Sequence, residues 1–357
     1  MNTLEALYES NIKNNHFLER KFSIQSKKTV IYGPRKSGKS HIIFDHLSKY
    51  EKSSYLYIDF LDERINKKEI RSNLNLFVKN NPIKLLAIEH FDFSFELPKV
   101  EEIVLTSDST CNHLIGFNEH YLYPLDFEEY LSFDKKHSNI EHLFNLYSSH
   151  GTFPYISLHG ENNYTKELQT LLRQILPEEH IFQVYKKFCE FSGHKISFFQ
   201  IYNTLKEEMK ISKDKLYEVA QYLQETQLLW QVEKFNQPSS PKKAFPIDFA
   251  FKSAISFKKD FIKRFENMIF LELMKKEIQL FYTDDVDFYI PSQNTAVFCI
   301  PFLTQEFVVL KIKKICSKLK ELDIQKVDVI TIGNEGDFEI QNITCKLVPF
   351  WEWALQL

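Results

Sequence analysis

Short apolar runs alternate with amphipathic stretches along the first part of the chain. Residues 29–32 (TVIY), 54–60 (SYLYIDF), 83–91 (IKLLAIEHF), 102–106 (EIVLT) and 120–125 (HYLYPL) have strand length and are rich in β-branched, aromatic and leucine residues. Between them apolar residues recur at helical spacing, as with Ile42, Ile43, Phe44 and Leu47. Strands that are apolar at consecutive positions are buried on both faces, and strands separated by helices build parallel sheets. The pattern therefore predicts an α/β fold with a parallel sheet covered on both sides.

Periodicity changes in the second half. Residues 164–176 and 180–193 carry leucine, isoleucine and aromatic residues every three or four positions, which predicts amphipathic helices. The segment KISFFQIYNTLKEEMKISKDKLYEVAQYLQETQLLWQVEKF then predicts helix, short turn, helix and strand, with Ser212 capping a helix over 213–227. A strand at 228–235, the turn-rich NQPSSP and then KKAFPIDF complete a winged-helix pattern. Farther on come a helix at 261–276, strands around FYTDDVDFYI, TAVFCIPF and KVDVITI, and a lysine-studded helix at 304–322.

Composition sharpens one site. Only 8 glycines occur, where average usage of about 7% would give roughly 25. Two of them, Gly33 and Gly38, stand in TVIYGPRKSGKSHIIF, which matches G-x-x-x-x-G-K-[ST] at the end of a predicted strand and the start of a predicted helix. In this arrangement the amides of Gly33, Pro34 (which supplies only shape), Arg35, Lys36, Ser37, Gly38, Lys39, Ser40 and His41 surround a phosphate at the positive end of a helix. Lys39 then reaches the β- and γ-phosphates, and the Ser40 hydroxyl ligates Mg²⁺. The expected ligands are ATP and Mg²⁺.

An acid ending a buried strand next to the phosphate-loop strand would hold the metal's shell, and LLAIE places Glu89 there. The expected second acid, which would polarise the attacking water, is replaced by His90. Glu89 and His90 are therefore the candidate catalytic pair, with Ser40 and Glu89 toward the metal, partly through water. Asp92, two residues on, is a substitute candidate. Thr106, Ser107 and Asp108 end the next strand, where Thr106 is the candidate sensor of the γ-phosphate. Asp59 and Asp62 end another strand at the same expected edge.

The series GPRKSGKS, YIDFLDER, LLAIEHFD, VLTSDST, YLYPLDFEEYL and HGTFPYI resembles AAA-family ATPases of bacteria and archaea that carry a C-terminal domain of unknown function with a restriction-endonuclease-like fold. The stretch from Tyr123 to Leu131 looks like that family's Pro-Leu-Ser-Phe-x-Glu-Phe signature. The resemblance implies an AAA+-like P-loop domain over 1–155, a helical linker and winged helix over 156–250, and a nuclease-like α/β domain over 251–357. It departs from the family's pattern at Glu89-His90, at Thr106-Ser107-Asp108, and at Phe117, where an arginine usually follows the glycine. The family's nuclease site would need an acid such as Asp287 and then a Glu-x-Lys on the next strand. The run from Val297 to Phe302 has neither acid nor lysine, and Glu266 or Glu272 could supply at most one carboxylate, so a degenerate domain without nuclease activity is expected.

Charge and cysteine usage bound what remains. Six arginines, at 20, 35, 64, 71, 173 and 264, leave no obvious donor to a neighbouring site, so a monomer or weak oligomer is expected. The helix at 213–227 interleaves Lys213 and Lys215 with Asp214, Glu218 and Glu225. With a net charge of -3 this favours docking to protein over DNA. Five scattered cysteines without a CxxC pair suit a reducing cytoplasm, and no run approaches 18 apolar residues, so no membrane association is expected. Together these point to an ATP-binding switch with weak or lost ATPase activity. The alternative is a winged-helix DNA-associated regulator or defence component that nucleotide modulates.

Overall fold

In the computed structural model, residues 3–10, 19–108, 114–136, 138–159, 164–258 and 260–357 are described. They form two compact units, Met1–Pro124 and Leu125–Leu357. The first contains α1 (Thr3–Glu9), β1 (Lys28–Tyr32), α2 (Lys39–Leu47), β2 (Tyr55–Asp59), α3 (Lys67–Asn80), β3 (Leu85–Glu89), β4 (Glu102–Ser107) and β5 (Asn118–Tyr121). The strands pair in the order β2-β3-β4-β1-β5, and every pairing is parallel.

Consecutive apolar residues in these strands serve two cores. Val30, Leu56, Ile58, Leu86, Ile88 and Leu105 face Ile70 and Leu74 of α3, whereas Ile31, Leu85, Ala87 and Val104 face Ile42, Ile43 and Leu47 of α2. Side chains alternate between faces, so a strand covered on both sides must be apolar at every position. The α/β fold expected from the sequence is present. One detail differs: β3 does not adjoin β1, because β4 lies between them.

The second unit begins with helices α4 (Phe127–Ser132), α5 (Ile140–His150), α6 (Pro154–His159), α7 (Tyr164–Ile175) and α8 (Glu179–Glu190). β6 (Lys195–Ile196), α9 (Phe198–Glu208), α10 (Lys213–Glu225), β7 (Leu229–Lys234) and β8 (Lys242–Pro246) follow. The chain closes with α11 (Ala250–Ile255), α12 (Phe261–Met274), β9 (Phe281–Tyr282), β10 (Phe288–Ile290), β11 (Thr295–Cys299), α13 (Gln305–Glu321), β12 (Lys326–Thr331), β13 (Gly336–Ile340), β14 (Ile343–Pro349) and α14 (Phe350–Gln356). Ser212 caps α10 by accepting from the Lys215 amide, as its sequence position suggests.

A single nine-stranded sheet, β13-β14-β12-β11-β10-β9-β7-β8-β6, runs through this unit. The antiparallel hairpin β7–β8 joins the later strands where β7 pairs in parallel with β9. The segments expected as separate domains over 156–250 and 251–357 thus share one sheet. Leu125, Phe127, Tyr147 and Phe153 also belong to the core that holds Tyr185, Phe251 and Phe350. The first division accordingly falls at Pro124, earlier than the expected 155.

Local chemistry explains two of the motifs. In YPLDFEEYL, Asp126 and Glu129 form the capping box that starts α4, and the Phe127 amide donates to Glu272 Oε1 at 3.1 Å. In HGTFPYI, Gly151 has φ +83°, and a Cβ there would lie 2.4 Å from Asp248 Oδ1. The buried Asp248 carboxylate accepts from Thr152 N at 2.7 Å, Thr152 Oγ1 at 2.8 Å and Ala250 N at 2.7 Å. Cys189, Cys299, Cys316 and Cys345 are buried thiols, and Cys111 lies outside the described residues. Among the described residues no helix is long and apolar enough to cross a membrane.

Candidate functional site

The loop between β1 and α2 turns on its glycines. Gly33 has φ +144° and a Cβ there would fall 2.5 Å from the Leu122 carbonyl oxygen, so only glycine fits between β1 and the residue after β5. Gly38, at φ +105°, caps the start of α2. Pro34 and Ser37 are buried, Arg35 and Lys36 are exposed, and His41 is exposed in the first turn of α2. The Ser37 hydroxyl is buried with no hydrogen-bond partner among the described residues.

Lys39 is 5% exposed, and its ammonium donates to Gly33 O at 2.6 Å, Pro34 O at 3.0 Å and Asp108 Oδ1 at 2.9 Å. Burial pulls its pKa below the usual lysine value, and the Asp108 carboxylate opposes that pull. Asp108, just past β4, also faces Arg35 Nε at 3.2 Å and His90 Nδ1 at 3.5 Å. Burial alone would raise the Asp108 pKa, but hydrogen bonding from His90 and the charge of Lys39 hold it well below the usual carboxylate range.

Ser40 Oγ donates to Glu89 Oε2 at 2.7 Å, and Tyr57 Oη donates to Glu89 Oε1 at 2.9 Å. Glu89 is 2% exposed, and burial raises its pKa against the effect of these two hydrogen bonds. The next residue, His90, adopts φ +54°, a left-handed conformation uncommon for a bulky side chain. Its amide donates to Thr106 Oγ1 at 3.2 Å, and its ring lies between Glu89, at 4.0 Å, and Asp108. Strain of this kind clusters at functional sites.

Lys39, Ser40, Glu89, His90, Thr106 and Asp108 therefore converge, although Glu89 arrives from two strands away rather than from an adjacent one. Thr106 is fully buried, and its hydroxyl supports the His90 backbone. Asp92 is drawn off by Arg71, at 2.6 Å, and by the Ser94 hydroxyl. Asp59 and Asp62 accept from Leu61 N and Arg64 N and so fasten turns. Sequence reasoning missed Tyr57 and Arg20. Tyr57 lies two residues before Asp59 on β2, so strand alternation could have placed it at this edge. Arg20, one of few arginines, donates to Ser37 O at 2.7 Å and Tyr123 O at 2.8 Å and ties the loop down.

A second group of charges lies in the other unit. Lys243 on β8 is 3% exposed and donates to Glu266 Oε1 at 2.6 Å, with Asp287 Oδ1 at 3.7 Å. Lys263 holds Glu266 Oε2 at 2.7 Å. Asp287 Oδ2 accepts from the Cys299 amide at 2.9 Å. Glu272 does not join them, since it accepts from the Phe127 amide and from Tyr147 Oη at 3.1 Å. Among the described residues, no group of three or more His, Cys, Asp or Glu side chains could hold a metal ion.

No protein-family model matches the chain. The uncharacterized protein MJ1544 of Methanocaldococcus jannaschii is 28% identical over an alignment of 399 positions, covering 93% of this chain and 89% of the relative. Among solved structures, the Signal Transduction ATPase with Numerous Domains (STAND) protein with a tetratricopeptide repeat sensor PH0952 from Pyrococcus horikoshii is similar at a TM-score of 0.28 and 12% identity. That match covers 70% of this chain and 43% of the other, so the chain spans less than half of that protein's length.

Proposed function

We propose that the loop of residues 33–41 binds ATP with Mg²⁺, that hydrolysis is slow or absent, and that bound nucleotide acts as a switch. The observation that carries this proposal is the 2.7 Å contact between Ser40 Oγ and Glu89 Oε2. A hydroxyl at a helix start and an acid at a strand end, 49 residues apart, meet beside a buried lysine. Mg²⁺ favours hard oxygen ligands and is commonly held by one or two carboxylates together with substrate phosphates, so these residues fit it without a larger protein cage. When bound, the ion would neutralise charge on the β- and γ-phosphate oxygens. Lys39 takes the same phosphates, and the loop amides meet them at the positive end of α2.

His90 is a poor replacement for a carboxylate that orients water, which supports slow turnover. In the second unit we read residues 156–250 as a helical linker and winged helix and residues 251–357 as a nuclease-like module without nuclease activity. The absence of nuclease activity is supported by the next strand after that of Asp287, where the run from Val297 to Phe302 carries neither acid nor lysine. Docking to protein suits α9 and α10 better than duplex binding, because Lys215 is paired with Glu218 while Phe199, Tyr217 and Tyr222 are exposed. Buried free thiols accord with a cytoplasmic location. A DNA-associated regulator would instead show retention on duplex that falls steeply with salt.

Calorimetry with Mg·ATP tests the proposal: the wild type should bind and Lys39→Ala should not. No binding by the wild type refutes it. Phosphate release should quicken in His90→Glu, whereas slowing would make His90 a working catalytic residue. If nucleotide left hydrogen exchange in Leu125–Leu357 unchanged, the switch would have no basis.

A further inference from the structure

Lys39 has three N–H donors, and all three are engaged, two by the loop's own carbonyls and one by Asp108. For its ammonium to meet a phosphate, one of these bonds has to be surrendered. The carbonyls of Gly33 and Pro34 are fixed by a backbone that tolerates little change, since even a Cβ on Gly33 would strike Leu122 O at 2.5 Å. Asp108 is a side chain just beyond the end of a strand and is free to turn away. It is also the group that carries charge.

Three cation-forming side chains converge on this one carboxylate. Lys39 meets Oδ1 at 2.9 Å, while Arg35 at 3.2 Å and His90 at 3.5 Å meet Oδ2. They come from the phosphate loop and from the end of β3, and the carboxylate comes from the end of β4. An oxyanion surrounded by a loop lysine, a loop arginine and a strand-end imidazole meets the same demand as a terminal phosphoryl group.

We infer that the Asp108 carboxylate occupies the γ-phosphate position as a built-in anion, which a triphosphate must displace and which thereby lowers the site's affinity for ATP more than for ADP. The inference rests on the proposed nucleotide binding and deepens it. A second anion brought within a few ångströms of Asp108 would be repelled, and Lys39 can serve only one of them at a time. Displacement frees Asp108 from Arg35 and His90 together, so occupancy of the loop is communicated to the ends of β3 and β4.

The test is calorimetric titration of wild type, Asp108→Asn and Lys39→Ala with Mg·ATP and Mg·ADP, with thermal melts of the free proteins as a check on folding. Asparagine keeps an oxygen for Lys39 and removes the charge. Asp108→Ser gives the same readout should the amide fail to fold. Asp108→Asn should bind ATP about tenfold tighter or better, the effect of removing one nearby like charge, with a smaller gain for ADP. Unchanged or weaker ATP binding, with Lys39→Ala still inactive, overturns the inference and leaves nucleotide binding standing. An equal gain for both nucleotides overturns the assignment to the γ position. Binding by neither wild type nor Asp108→Asn at millimolar Mg·ATP overturns nucleotide binding and the inference with it.

Discussion

Replacing Lys243 by methionine should destabilise the unit Leu125–Leu357 by about 3 kcal/mol, the lower end of the cost of breaking a buried ion pair from one side. Lys243 and Glu266 are 3% and 1% exposed, so solvent screens their 2.6 Å contact very little. The substitution removes one of two lysines and leaves the Glu266 carboxylate with Lys263 and that of Asp287 with the Cys299 amide. The cost falls at the lower end because Lys263, whose side chain is 25% exposed, keeps its 2.7 Å contact with Glu266. In Lys243→Met/Glu266→Gln no buried charge is stranded, and most of the loss should be recovered, with a coupling of about 2 kcal/mol. The assay is urea unfolding followed by tryptophan fluorescence. Trp230, Trp351 and Trp353 are the chain's three tryptophans and all lie in this unit, so the signal reports it alone. A loss below about 1 kcal/mol in Lys243→Met, or additive effects in the double variant, would refute the reasoning.

Two further outcomes follow from buried carboxylates. Glu89→Gln preserves size and removes charge, so the gain in ATP affinity due to Mg²⁺ should shrink by about 10- to 100-fold; an undiminished gain in calorimetry with and without chelator would exclude Glu89 from the metal's shell. Burial raises the Asp248 pKa from 3.8 to about 6 against hydrogen bonds from Thr152 and Ala250. Between those values the folded state holds a proton that the unfolded state has released, so stability falls as pH rises through the window, by about 3 kcal/mol. Denaturation at pH 3.8 to 6.5 should show wild type losing that much relative to Asp248→Asn, and parallel profiles would count against it.

Features confined to a short stretch of chain were legible in the sequence. The strand, loop and helix of TVIYGPRKSGKSHIIF follow one another directly, so residue identity and spacing sufficed to locate Lys39 and Ser40. The two-sided sheet was legible because each strand's apolar run reports its own burial. The role of Ser212 was legible because a cap bonds within one helical turn. In contrast, Asp92 stood in the sequence as a substitute for the second acid at the position of His90. Only Arg71, brought alongside by α3, shows that Asp92 is engaged elsewhere.

The sequence by itself determined the alternating strands and helices of the first unit and where the G-x-x-x-x-G-K-S loop lies, because backbone propensity, hydrophobic period and glycine conformation act over a few residues. Tertiary structure decided the rest. Strand order put β4 between β1 and β3, and it brought Asp108 to Lys39 across 69 positions and Glu89 to Ser40 across 49. It also moved residues 125–155 into the second unit and set Lys243 against Glu266. Each of these partnerships closes a long loop of chain between groups that carry no local signature of one another. Which charges end up sharing a site is therefore fixed by the topology that buries them.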